Sequence, residues 1–410
     1  MRPAKLALLA ALLALVRTSL AGERLVVVSG GARPATGQAV PAAVAFDLAT
    51  LPGGKADPAR LRLVEITSEN ARSAVLLPVQ FEPDAPGASR GTLWWLLPPG
   101  PAGERRFRLI EVADPAPDAM NVQADVANRY YDIHEGASPV LRYNQGTVPV
   151  PAGIPTNYAR GDYIMPLFGP NGELLTADYP PDHPHHRGIG WSWPVTRWGD
   201  EVRDIWAVVG VWARPVAMRR VEAGPVFALL DAENVWKWGD TNPIVREEVL
   251  IRAFRQFGGD RLVDIEVRLT ALAERVAIGG RPHGGYGGFG LRAQPAEQRV
   301  ITARVDPPGA APRRSWLDCS GVFAGGKRPA GLAIFESVGN PLYPNELRTY
   351  PELNYVMPAF PGEREVPLSR EKPLALRHRL WIHTGLATES RLAEVWSGYA
   401  NPPRAKLVEP

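Results

Sequence analysis

At 410 residues the chain exceeds what one ordinary hydrophobic core covers, so two domains are expected. Its 46 basic and 43 acidic residues are scattered among one another, with a formal charge of +3, and offer no basic stripe; this excludes a nucleic-acid footprint. Cys319 is the lone cysteine, so an intramolecular disulfide and a cysteine-based zinc site are excluded too, and any metal must be held by His and carboxylate.

The chain opens on Met1-Arg2-Pro3-Ala4-Lys5, continues with an apolar run from Leu6 to Val16, and reaches Ser19-Leu20-Ala21 before Gly22. A basic start, a short apolar stretch and small residues at a cleavage point predict a secretory signal peptide over 1–21, hence export to the periplasm or the medium. No lipobox cysteine follows. The run is too short to span a bilayer and no later segment is long enough, so no integral membrane segment is expected after cleavage.

The 40 glycines and 42 prolines punctuate the sequence instead of pooling in one tract, which favours many short strands. Arg24–Ser29, Val40–Phe46, Leu61–Ile66, Ala74–Gln80, Gly91–Leu97 and Arg105–Val112 are β-branched or alternate with period two. They predict a small N-terminal all-β domain over 22–118, with 113–120 as the linker. A large domain is expected over 125–400. Its strands begin with Arg129–His134 and Val140–Tyr143 and continue with Asp204–Val211, Ala217–Ala223 and Val226–Trp238. Ile244–Arg255 fits a helix or a strand, but Arg261–Thr270 alternates cleanly, and a hairpin across Phe257-Gly258-Gly259-Asp260 pairs the two. Val300–Val305, Val322–Phe323, Gly331–Glu336 and Ala375–Thr384 complete the set. Without βαβ alternation, the expected fold is all-β, a large antiparallel sandwich preceded by a small β domain.

Residues 176–193 read T-A-D-Y-P-P-D-H-P-H-H-R-G-I-G-W-S-W and gather three of the seven histidines. Pro180, Pro181 and Pro184 prevent a helix, and so many titratable groups are costly to bury, so this stretch is the candidate site. In one chemistry His183, His185 or His186 serves as general acid or base near neutral pH, while the planar fork of Arg187 clamps a carboxylate or hydroxyl pair. In another the histidines ligate a divalent metal, with Asp204 or Asp318 completing the set. A loop merely satisfied by its own hydrogen bonds is the third possibility.

Trp191, Trp193 and Trp206 are candidate sugar-stacking platforms, with Asp182, Asp204, Asp318 and Asn340 as polar contacts, although tryptophans on alternating strands also fill cores. Gly284–Gly290 (G-G-Y-G-G-F-G) lacks the Lys-Ser/Thr of a phosphate loop; its glycines suit a close backbone approach that presents Tyr286 as an acid or sugar contact. Cys319 is expected to be inert. His378 and His383, in an alternating run, are expected to be satisfied within a sheet.

The segment Tyr158–Trp193, with its D-H-P-H-H-R-G block, resembles a bacterial exported family that goes under the label methane oxygenase PmoA. Asp204-Ile205-Trp206, Gly284–Gly290, Trp316–Gly321, Gly331–Asn340 and Arg377–Gly385 extend the resemblance over most of 129–390. This chain has Met165-Pro166 where the family usually has His-Pro, which removes one histidine from any ligand set. The resemblance implies a galactose-mutarotase-like supersandwich behind a small β domain, as in exported carbohydrate-active proteins. The implied function is glycan processing of lyase, hydrolase or epimerase type on a carbohydrate or other small molecule. In an elimination, Arg187 would neutralise a uronate carboxylate, a histidine would remove the adjacent proton, and Tyr286 or a second histidine would protonate the leaving oxygen. Two other functions stay open: a non-catalytic sugar-binding protein, and a His-ligated metal-dependent oxygenase, as the label suggests.

Overall fold

Period-two alternation in the first hundred residues closes a core of its own. The structure, a computed structural model, describes residues 24–31, 37–51, 57–66, 72–101 and 103–408. The signal peptide expected over 1–21 lies outside them. Val26 and Val28 point inward from Arg24–Ser29 and meet Leu63, Leu93, Trp95 and Phe107 in one apolar cluster. Two antiparallel sheets supply these side chains. The first runs Arg404–Val408, Arg24–Ser29, Arg105–Glu111, Leu61–Ile66, Arg72–Pro78; the second runs Val40–Asp47, Arg90–Leu97, Gln80–Pro83.

The edge strand Arg404–Val408 corrects the expected boundaries. It pairs with Arg24–Ser29 in the register Leu25↔Val408 to Ser29↔Arg404 and packs Ala405 and Leu407 on the small core. The small domain is therefore completed by the far end of the chain. The expected linker is not free either: Ala116 is buried and its N–H donates to the Ala59 carbonyl (2.7 Å), and the large domain's first strand already starts at Met120.

The large domain is a sandwich of two eight-stranded antiparallel sheets. One, here the site sheet, runs Glu346–Tyr350, Tyr355–Ala359, Gly288–Arg292, Ile189–Ser192, Tyr163–Leu167, Ser138–Asn144, Tyr130–Glu135, Met120–Asp125. The other, the back sheet, runs Val211–Glu222, Phe227–Trp238, Asn242–Phe254, Arg261–Ala271, Leu374–Thr384, Ala330–Glu336, Ser315–Phe323, Ala296–Val305. The hairpin expectation holds: Asn242–Phe254 pairs with Arg261–Ala271 from Val245↔Ala271 to Ala253↔Val263, turning at Phe257↔Asp260. Asp204–Val211 is a correction. Asp204 and Val209 pair only with each other across a turn with Val208 at φ 58°, so Trp206 stands in a turn and the strand begins only at Val211.

The back sheet's outer face is covered by a helix absent from the expectations, Glu389–Ala400, which Thr388 caps by accepting from the Arg391 N–H. Leu392, Val395 and Trp396 bury one stripe of it beside Trp316 and Trp381, and Ala39 and Leu96 of the small domain join the same cluster. Polar contacts tie the domains together as well. Gln80 Oε1 accepts from the backbone N–H groups of Val226 (3.1 Å) and Phe227 (3.0 Å), and Glu82 pairs with Arg252 at 2.6 Å.

Candidate functional site

The pleat of the site sheet sends alternate residues to opposite faces, and here one face is core and the other carries the site. Ile164, Ile189, Trp191, Phe289, Leu291 and Val356 point into the sandwich. Their neighbours Tyr163, Gly190, Ser192, Gly290, Arg292 and Tyr355 therefore face outward. Over this outer face lies a small cleft of about 20 Å³, room for about one water-sized group, walled by Arg160, Tyr163, His185, His186, Trp206 and Tyr355, with Gly190 and Ser192 among its lining. The placement corrects two expected platforms. Trp191 and Trp193 are buried in the sandwich core, donating their indole N–H groups to Glu247 (2.8 Å) and to the Phe360 carbonyl (2.9 Å), and present no face to the cavity.

Two glycines make the floor possible. Gly190 pairs with Gly290 across the adjacent strands, and the Tyr355 hydroxyl lies where a Cβ on Gly290 would stand. At Gly190 a Cβ would meet nothing nearer than 3.9 Å. Gly190→Ala is thus expected to keep the wild-type melting temperature while placing a methyl in the cavity and weakening ligand binding, whereas Gly290→Ala lowers the melting temperature. Thermal melts of both variants check this, and equal destabilisation would contradict it.

The proline-rich loop folds back through tight turns, His183 N–H to the Pro180 carbonyl and His186 N–H to the His183 carbonyl, which bring its three imidazoles together. His186 is buried, stacked on His183 at 4.8 Å and tilted against Tyr355 at 4.5 Å, with the edge of Trp206 at 5.7 Å; His185 lies 4.6 Å from His186. His183 sits on the rim beside Asp182 (3.3 Å). Burial, reinforced by the neighbouring histidines and arginines, pushes His185 down to about 4 and His186 down to about 2. Both are neutral at neutral pH. The Arg292 guanidinium, which grips Asp182 at 2.9 and 3.0 Å, lies 3.3 Å from His186 Nδ1 and leaves that nitrogen the accepting role.

These facts bear on the metal chemistry. Among the described residues no group of three or more His, Cys, Asp or Glu side chains is placed to hold an ion. His183, His185 and His186 stack on one another instead of converging on a point, His186 Nδ1 faces a guanidinium, and Arg160 and Arg187 line the same space. A donor set of that kind suits an anion better than a cation.

Arg187 is not the free clamp that its place in the motif suggests. Its guanidinium donates to both oxygens of Asp178 and to the Tyr163 hydroxyl, and lies between the rings of Tyr163 (4.3 Å) and Tyr179 (3.6 Å). It braces the cavity wall through an ion pair that is already complete. Asp204 caps the turn that holds Trp206, accepting from the Ala207 N–H at 2.8 Å, and Tyr286 packs against Trp206 at 5.5 Å. Both stand beside the cavity, not among the walls named above.

Asp318 and Asn340 are corrections by position. Asp318 is buried in the back sheet between Ser320 (2.5 Å) and His383 Nε2 (2.9 Å), and Asn340 is buried holding the Arg377 backbone at both its N–H (2.8 Å) and its carbonyl (2.9 Å). Polar side chains so fully engaged are structural. His383 is satisfied as expected; His378 is buried on Phe289 at 4.1 Å with Nδ1 unbonded, and burial pushes it down to about 3. The Cys319 thiol is buried and pushed up to about 12, which removes its nucleophilicity.

Several features were missed. Tyr163, Ser192 and Tyr355 line the cleft and Arg292 grips Asp182 beside it, none of them marked by the sequence, and Arg160 lines it too, with nothing in Y-A-R-G-D-Y to single it out. On the core side of the same segment, Asp162 and Glu247 form a wholly buried acid pair. Asp162 accepts from Tyr143 (2.8 Å), Asn234 (2.9 Å) and Trp191 (3.1 Å), while Glu247 accepts from Trp191 (2.8 Å) and Trp236 (3.0 Å). Burial and the Asp162 charge hold Glu247 well above the usual carboxylate range, so its carboxyl keeps a proton and shares it with Asp162.

A family model described as a family of unknown function (DUF6807) matches residues 130–397, a span that includes every cavity-lining residue. No curated protein matches the chain.

Proposed function

The chain belongs to the DUF6807 family, and we propose that its outer-face cleft receives the reacting group of a small sugar-type ligand and processes it by proton transfer through His185 and His186. The observation that carries this is the pair of neutral, buried imidazoles opening on an enclosed space with aromatic walls. The cleft, about 20 Å³, admits one group of a ligand and leaves the rest at its mouth. Trp206, Tyr355, Ser192 and Tyr163 line it, and their rings and hydroxyls are the contacts such a group would meet.

In the chemistry proposed, His185 accepts a proton from the bound ring and the other imidazole or Tyr355 returns one to the departing oxygen. That division is elimination; for hydrolysis His185 would take its proton from an attacking water instead, and for epimerisation the second group would return the proton to the opposite face of the carbon with no oxygen leaving. A pKa near 4 makes His185 a weak base in the free protein; an anionic ligand beside it would raise that value and sharpen its action. His185→Ala is expected to abolish turnover, losing at least about a hundredfold in rate, with the melting temperature little changed. A variant that turns over at the wild-type rate would remove His185 from the chemistry.

One observation favours a binding-only protein: His186 is pushed down to about 2 and its Nδ1 already faces Arg292, so it is a poor proton carrier. In that case His185→Ala retains most of its affinity for the sugar and no sugar is converted by either form. The leader pattern over 1–21 supports a site of action outside the cytoplasm, checked by N-terminal sequencing for a start at Gly22.

A further inference from the structure

Seven arginines are buried among the described residues: Arg62, Arg105, Arg160, Arg187, Arg261, Arg292 and Arg379. Five of them are paired with carboxylates, namely Arg105 with Glu65, Arg187 with Asp178, Arg261 with Glu135, Arg292 with Asp182 and Arg379 with Asp264. Arg62 has no carboxylate but donates to three backbone carbonyls, those of Ala59, Leu61 and Asp114. Arg160 has neither. It is 8 % exposed, its Nη1 makes one long bond of 3.4 Å to the Trp206 carbonyl, and its Nε is buried with no partner.

A buried charge without a counter-ion is among the costliest arrangements a fold can carry. Asp162 lends only a through-space attraction, while the neighbouring Arg187 repels, and Asp162 is itself committed to Tyr143, Asn234 and Trp191. The uncommitted side of the guanidinium is the edge formed by Nε and Nη2, the fork that matches the two oxygens of a carboxylate. Arg160 lines the small cavity, as does Arg187, whose Nη1 is likewise buried without a partner.

We propose that the missing counter-ion is the ligand: Arg160 is the binding residue for the carboxylate of a small organic acid, whose charged end enters the cleft between His185, His186, Trp206 and Tyr355. The inference rests on the cavity being a small-molecule site and is independent of whether the histidines move protons. The role first suggested by Arg187's place in the motif passes to Arg160, because Arg187 already has Asp178. A second depression of the surface, about 490 Å³ beside Arg304 and Arg313, carries no such case: Arg304 is paired with Asp306 and Arg313 donates to the Asp306 carbonyl. The cleft has room for little more than the carboxylate itself, and the neutral histidines add no second charge to be matched.

The test uses the full chain and its Arg160→Met variant, which keeps the length of the side chain and removes its charge. Calorimetric titration at neutral pH compares D-glucuronate and D-galacturonate with D-glucose and D-galactose, with acetate and inorganic phosphate as simple anions. At least one uronate is expected to bind about tenfold or more tightly than its neutral parent, and Arg160→Met to weaken it by about 10- to 100-fold, the worth of charge-assisted hydrogen bonds. Ligand-free Arg160→Met should melt at or above the wild-type temperature, because a strained charge has been removed, whereas Arg379→Met, which breaks a completed pair on the back sheet, should melt lower. The proposal is overturned if no carboxylate in the set binds, if uronates and neutral sugars bind alike, if phosphate outbinds every carboxylate, or if Arg160→Met melts lower by as much as Arg379→Met. A uronate that binds through Arg160 but is never converted would keep this inference and remove the proton-transfer reading.

Discussion

Replacing Arg187 with leucine is expected to lower the stability of the folded protein by about 3–5 kcal/mol, the usual consequence of removing one member of a buried ion pair. The side chain is 1 % exposed, and its loss strands Asp178 beside Tyr163 and Tyr179 with no cation. Burial already holds Asp178 above the ordinary carboxylate value, with Arg187 pulling it down. In the variant that pull is gone, so the folded-state pKa of Asp178 rises further and its carboxyl takes up a proton. A raised folded pKa means that stability falls as pH rises, so the deficit relative to wild type is smallest in acid and grows toward neutrality. Urea unfolding at several pH values measures both parts. Arg187→Met/Asp178→Leu removes the pair together and should recover much of the loss. If that double variant still binds ligand, Arg187 is a positioning residue, and a double variant that folds but cannot bind would place its guanidinium on the ligand.

The buried pair under the cavity floor gives the second large effect. Glu247→Ala should cost several kcal/mol, because the indole N–H groups of Trp191 and Trp236 lose their acceptor and Asp162 loses a proton donor inside the core. Glu247→Gln replaces a protonated carboxyl with an amide of the same shape that still donates to Asp162 and still accepts from one indole. In acid, below the unfolded carboxylate range, where both chains carry a neutral side chain folded and unfolded, it should stand close to wild type. The pH dependence separates the two proteins further. With Glu247 held far above its unfolded value, the wild type binds a proton that the unfolded chain releases, and it loses stability as pH rises above the carboxylate range, by about 1.4 kcal/mol per pH unit for as long as that proton stays. Glu247→Gln lacks this loss, so its stability relative to wild type should climb steadily with pH. Parallel stability curves for the two proteins would mean that Glu247 is ionised in the fold.

The back sheet was largely legible in the sequence, whereas in the site sheet only Tyr130–Glu135 and Ser138–Asn144 were. Arg261–Thr270 alternates with period two, and its partner was placed by the Phe257–Asp260 turn, so the hairpin follows from local chemistry. Helix Glu389–Ala400 was legible in principle as well, through Thr388 as a cap and Leu392, Val395 and Trp396 at helical spacing, a pattern masked by the β character around it. The loop with three histidines was legible as irregular structure because its prolines exclude helix and strand, and the fold brings His185, His186 and Arg187 to one cleft.

What the sequence by itself determined, then, is the all-β architecture, the hairpin register at its centre and the address of the histidine loop, because each depends on residues near one another in the chain. The tertiary structure decided the rest. Period two tells that Ile189, Trp191 and Trp193 share one side, but not whether that side is core or cavity; the back sheet settles it by covering them, which leaves Gly190 and Ser192 to line the site. The partner of Arg24–Ser29 lies at Arg404–Val408, too far along the chain for any local pattern to announce. Arg187 and Arg160 are equivalent as letters. Only the fold hands a carboxylate to the first and withholds one from the second, because whether a charge is satisfied depends on what arrives from distant strands.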